Sequence, residues 1–186
     1  MQEKENVLRI LTETKQALEK GDALKIKNLS NQTINIASFT QDPDNIAVAV
    51  FIYSIGKILE RENYRQLPGW DVFYKTIEVS LENSIKDIEK NNSDKFRKDF
   101  EAIHSVLGKL SGKLKEYIEF VFRKAKINKA SRLYEHGISM EQTAKLLGIS
   151  MYELAEYAGQ TGIPDVVESK TINIKDRIKI AMEIFG

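Results

Sequence analysis

The stretch Gly137-Ile138-Ser139-Met140-Glu141-Gln142-Thr143-Ala144-Lys145-Leu146-Leu147-Gly148-Ile149-Ser150-Met151-Tyr152-Glu153-Leu154-Ala155-Glu156-Tyr157 has the grammar of a helix-turn-helix. Ser139 is placed to cap a short helix, and Gln142, three residues on, completes the pattern of a capping box. Ala144 is small where two helices must approach closely. Gly148 supplies a left-handed turn residue, which a side chain would strain. Ile149 and Leu154 are spaced to plug the angle between the helices, and Ser150 with Glu153 forms a second capping box that opens the second helix.

Working outward, residues 113–136 form one long helix. Its aromatic and aliphatic residues Tyr117, Phe120, Val121 and Phe122 fall on several faces, so it is expected to be covered on more than one side. Ser111-Gly112 before it is the best boundary in the chain, read either as a linker or as a short hinge between packed helices. Five helices precede it. Residues 2–20 carry Val7, Ile10, Leu11, Ala17 and Leu18 on one stripe. Gly21 ends that helix and Asp22 caps the next, 23–39, whose apolar set is sparse and whose Asn, Ser and Thr residues compete for backbone hydrogen bonds. Asp42-Pro43-Asp44 opens a third helix, 45–62, apolar almost all round and so expected at the bundle centre. Leu67-Pro68-Gly69 breaks the chain before a fourth helix with Trp70, Phe73, Tyr74, Ile77, Leu81, Ile85 and Ile88 on one face. Asn91-Asn92 turns, Ser93 caps, and Phe96, Phe100, Ile103, Leu107 and Leu110 line the fifth. After the motif, 166–172 reads as an extended arm and 175–185 as a terminal helix. The expected fold is all-α: an N-terminal helical bundle over 1–111, then a long connecting helix, the helix-turn-helix and a terminal helix over 112–186.

Composition narrows the function. The 186 residues are 42% hydrophobic and 30% charged and include no cysteine, which excludes disulfide scaffolds, thiolate zinc sites and thiol nucleophiles. Lys and Arg number 28 against 27 Asp and Glu, so a nucleic-acid footprint must come from local asymmetry. The N-terminus is charged, without a secretory apolar core, and the strongest apolar run, 46–55, is about half the roughly 20 residues needed to span a bilayer. A cytoplasmic protein with no membrane partner is expected.

The residues Leu133-Tyr134-Glu135-His136-Gly137-Ile138-Ser139, Thr143 to Ser150, Glu153-Leu154 and Thr161-Gly162-Ile163-Pro164 resemble small prokaryotic, often archaeal, helix-turn-helix proteins, some of them presumed antitoxins encoded beside PIN-domain nucleases. The resemblance covers about residues 133–164. It implies a DNA-binding or toxin-partner role for that segment alone.

Charge divides the C-terminal half. From Gly137 to Asp165 a single base, Lys145, faces Glu141, Glu153, Glu156 and Asp165, a local net charge of −3. The second helix has no Lys or Arg and is a poor reader of a phosphate-walled groove. Residues 113–136 carry +4, with Arg123, Lys124, Lys126, Lys129 and Arg132 in an acid-free run. That run reads either as a phosphate patch or as a solvated face turned toward the acidic motif. Under the nucleic-acid reading the contact residues are Arg123, Lys124, Lys126, Lys129, Arg132, Lys145, Tyr152 and Gln160.

Catalytic signatures are absent. His104 and His136 sit at structural helix positions and form no spaced metal set, Asp42 and Asp44 serve a first helical turn, and no GxGxxG, phosphate-loop or GxSxG pattern occurs. No cofactor or metal is expected. Tyr64, Trp70, Phe73 and Tyr74 read as core rather than as a recognition patch. The expectation is a non-enzymatic regulator or adaptor: the motif engages duplex DNA and the bundle contacts a protein partner, with self-association also open. The alternative is a protein-interaction module in which the motif serves protein contacts only.

Overall fold

A computed structural model describes residues 3–162, excluding the side chains of 101, 102, 104, 105, 107 and 108. The extended arm (166–172), the terminal helix (175–185), Ile163-Pro164, Asp165 and the His104 and Leu107 side chains lie outside the described residues. The fold is all-helical, with no strand among the described residues. The helices are α1 (Lys4–Glu19), α2 (Ala23–Thr40), α3 (Pro43–Leu59), α4 (Trp70–Glu89), α5 (Ser93–Lys109), α6 (Gly112–Glu135), α7 (Met140–Leu147) and α8 (Met151–Thr161), with a 3-10 segment, Glu62–Gln66, between α3 and α4. None of these helices is long and apolar enough to cross a membrane.

The apolar α3 lies at the centre, with Ile46, Val48, Ala49, Val50, Phe51, Ile52, Ile55 and Ile58 all buried. It ends at Leu59, short of the expected Glu62, and Arg65 helps close it by donating from Nη2 to the Leu59 carbonyl, 3.0 Å. Its start is as expected: the Asp42 side chain accepts from the Asp44 amide, 2.8 Å, and Pro43 occupies the first turn. Asp44 is then held by Arg97 of α5 in a two-pronged pair, 2.9 and 3.1 Å, which fastens α5 to the head of α3.

α2 packs most extensively on α3, and its polar sequence has a structural reason. Ser30, Thr33 and Ser38 are buried, yet each hydroxyl reaches a backbone carbonyl: Ser30 donates to Ala49 of α3 (2.6 Å), Thr33 to Leu29 (3.0 Å) and Ser38 to Asn35 (2.6 Å). Small satisfied side chains let the two helices approach. The approach is close at Gly56, where an added Cβ would stand 2.8 Å from Lys27 Cγ and 3.2 Å from the Ala23 carbonyl oxygen.

The α4–α5 hairpin packs beside α1, with Trp70, Phe73, Ile77, Leu81 and Phe96 in the core. Tyr64 and Tyr74 are partly buried against the same core, Tyr64 stacking on Tyr117 at 3.6 Å between ring centroids, so this aromatic group is internal. The cap of α5 is Asn92, which accepts from the Lys95 amide at 3.1 Å; it takes the role expected of Ser93 because Ser93 is already the first helical residue.

Two hydrophobic clusters make up the interior. The first joins α1 to α5 with Leu114, Tyr117, Ile118, Val121 and Phe122 of α6. The second joins Ile34, Ala37, Ile46, Ala49 and Val50 of α2 and α3 to Ala125, Ala130 and Leu133 of α6 and to Ile138, Leu147 and Leu154 of the motif. Both clusters cross the expected division at 111/112. Ser111-Gly112 joins α5 to α6, with Gly112 at φ 62°, and α6 is covered on more than one side.

Candidate nucleic-acid interface

Two short helices, α7 and α8, follow α6 and are joined by a turn, with all but one of the expected local caps made. Ser139 Oγ accepts from the Gln142 amide at 3.2 Å, but the Gln142 side chain donates to Gln41 at the end of α2, so the first capping box is half made. The long-range amide contact displaces the local one and ties α7 to the bundle. Gly148 takes φ 60°, ψ 44°. At α8 both halves of the box are present: Ser150 Oγ accepts from the Glu153 amide (3.2 Å) and Glu153 Oε2 accepts from the Ser150 amide (3.0 Å). Leu154 is fully buried and Ile149 partly buried in the angle between the helices, with Ala144 at their approach.

Across from α8, Arg123 of α6 donates from Nε and Nη2 to Glu153 Oε1 at 2.9 and 2.6 Å. One carboxylate therefore caps α8 and receives the first guanidinium of the basic run. The Ser150 backbone hydrogen bond, with Arg123 next, brings its pKa down to about 2. The groove between α6 and α8, lined by Arg123 and Lys124 opposite Glu153, Glu156 and Gln160, mixes both signs of charge.

The remaining contact residues do not share one surface. Lys124 is exposed, its ammonium 5.8 Å from the Phe120 ring centroid. Lys126 is partly buried beside an apolar cavity of about 250 Å³ bordered by α3, α5, α6 and α7. Lys129 must be removed from the set: it is 0% exposed, donates to Asn31 Oδ1 at 2.8 Å and lies 4.2 Å from the Tyr53 ring centroid. Burial pushes its pKa down to about 7, with the nearby Arg132 charge adding to the effect. Arg132 pairs with Glu135 at 2.9 Å. Lys145 is exposed on α7, Tyr152 is 86% exposed on α8, and Gln160 donates to Glu156 at 3.1 Å. A helix turns 100° per residue, so bases contiguous in sequence are spread around the rod.

The sequence reading did not bring Lys57 and Arg61 to this side of the molecule. Both border a second cavity with Lys124 and Tyr157. Part of the signal was present: Tyr53 and Lys57 stand four residues apart on one face of α3, whereas Arg61 lies past the helix end, in extended backbone. His136 caps α6, its Nε2 lying 3.4 Å from Asn35 Oδ1. Among the described residues there is no group of three or more His, Cys, Asp or Glu side chains that could hold a metal ion.

No protein-family model matches the sequence, and comparisons with curated proteins and with solved structures give no match.

Proposed function

We propose that the chain is a non-enzymatic helical interaction module whose helix-turn-helix docks a protein partner rather than reading duplex DNA. The observation that carries this is the Arg123–Glu153 pair: the cation nearest the second helix is already bound to that helix's own acid. Around it, Lys129 is buried and Arg132, though exposed, is paired with Glu135, so much of the run's charge is already met within the chain. The outer side of α8 instead presents Met151, 50% exposed, and Tyr152, 86% exposed, beside Glu156. Exposed aromatic and methionine side chains are typical anchors of protein contacts, whereas carboxylates are repelled by phosphate. The resemblance to antitoxin-type proteins fits this reading, because neutralising a toxin is a protein contact.

One observation favours duplex DNA: Lys124 and Lys145 are exposed and have no carboxylate partner among the described residues. Two phosphate contacts give only a shallow salt slope, about −2 on a log–log plot. A mobility-shift assay across salt separates the readings, using the native protein and Glu153→Gln, which weakens the hold on Arg123. The docking reading expects no shift of duplex at low salt with the native chain. A duplex shift at low salt that weakens as salt rises and is abolished by Lys124→Ala with Lys145→Ala would overturn it.

A further inference from the structure

Next to the α6–α8 groove, α3 and the Glu60-Arg61 turn after it, α6 and Tyr157 of α8 line an open cleft of about 440 Å³, within the roughly 300–1,000 Å³ typical of small-molecule sites. Its walls are of two kinds. Tyr53, Phe120 and Tyr157 supply aromatic rings, and Tyr157 is oriented by Asn128, whose amide donates to its hydroxyl at 3.2 Å. Lys57, Arg61 and Lys124 supply positive charge.

The single carboxylate in the wall, Glu60, does not cancel that charge. It accepts from Lys57 at 3.0 Å and also from Lys27, so it is already shared between two ammonium groups. Arg61 and Lys124 have no carboxylate partner among the described residues; each lies near a ring instead, 5.6 Å from the Tyr117 centroid and 5.8 Å from the Phe120 centroid. Cations resting over ring faces beside an open cavity remain available to an anion. An acyl chain would leave the Arg61 and Lys124 charges unmatched. A planar polar ring carrying an anion satisfies both kinds of wall, since every nucleobase has a face to stack and edges to hydrogen-bond.

We infer that this cavity binds a nucleoside monophosphate, its base against the aromatic walls and its phosphate met by Arg61 and Lys124. The inference stands apart from the docking reading, because the cavity lies between α3 and α6 and its residues are not those on the outer side of α8.

Calorimetric titration of the full chain with AMP, GMP, CMP and UMP tests it, alongside adenosine, inorganic phosphate and an eight-nucleotide oligo(dT) strand. At least one monophosphate is expected to bind below ~1 mM, with adenosine and phosphate each about tenfold weaker. The double variant Arg61→Gln, Lys124→Gln alters exposed side chains and keeps the native circular dichroism; it is expected to lose about tenfold in affinity. Phe120→Ala, at a residue 55% exposed, is expected to weaken the nucleotide and leave phosphate unchanged. The inference is overturned if no monophosphate binds at ~1 mM, if the double variant binds as well as the native chain, or if phosphate alone binds as tightly. Tighter binding of the oligonucleotide than of its monomer would assign the site to strands and overturn the free-ligand inference.

Discussion

Replacing Lys129 with methionine tests the packing of α6 against α2 and α3 through an unusual feature, an amine with no solvent exposure. Its proton is released near pH 7 in the fold, against an ordinary 10.5. At about 1.4 kcal/mol per pH unit, keeping that amine charged in the fold costs up to roughly 5 kcal/mol. A pKa is the net balance of all that favours or opposes the charge, so the Asn31 bond and the Tyr53 ring face are already within that figure, which stands as an upper bound. Methionine removes the charge and keeps the length, and Asn31 is exposed, so its carbonyl oxygen turns to water. The sign with pH follows from the lowered pKa. Below pH 7 both folded and unfolded chains hold the proton and the penalty is complete. Between about 7 and 10.5 only the unfolded chain holds it, so native stability rises with pH while the variant lacks that rise. Urea unfolding followed by circular dichroism should therefore find Lys129→Met more stable at pH 6, by up to roughly 5 kcal/mol, with the advantage shrinking by pH 9. A variant less stable at both pH values, or a difference independent of pH, would refute the reasoning.

Three further outcomes are expected. Gly148→Ala meets no atom within 4 Å of the new Cβ, so its cost is that of a left-handed alanine, about 1 kcal/mol, read by urea unfolding and by faster amide exchange in α8. Gly56→Ala forces a Cβ into the α2–α3 contact and should cost about 1–3 kcal/mol in the same urea assay. On α5, burial and the adjacent Asp87 carboxyl push Asp99 up to about 6. A raised carboxyl contributes stability below its ordinary 3.8 and loses it as pH rises through about 6, so thermal melts should show Asp99→Asn gaining on the native chain between pH 4 and 7.

Local rules made most of the fold legible. Asp22, Asp42 and the Ser150–Glu153 box act as caps where the sequence places them, and Gly148 turns the motif, because each of these decisions involves neighbours within four residues. What was not legible depends on distant partners. Gln142 leaves its box for Gln41, and buried Ser30 reaches Ala49, contacts that only tertiary packing creates. The basic run misled for a geometric reason. Ile118, Phe122, Ala125, Lys129 and Leu133 recur at three- and four-residue spacing and are all buried, so Lys129 belongs to the apolar stripe rather than to the cations beside it in sequence. Lys57 and Arg61 escaped notice because they lie in the last turn of an apolar helix and just past its end, far along the chain from the bases they join.

The docking account is tested most directly by placing a photo-crosslinking phenylalanine analogue at position 152 and irradiating cells that carry the native gene. The account predicts a discrete adduct that protease removes and nuclease leaves intact. An adduct sensitive to nuclease, or no adduct at all from a side chain 86% exposed, would contradict it.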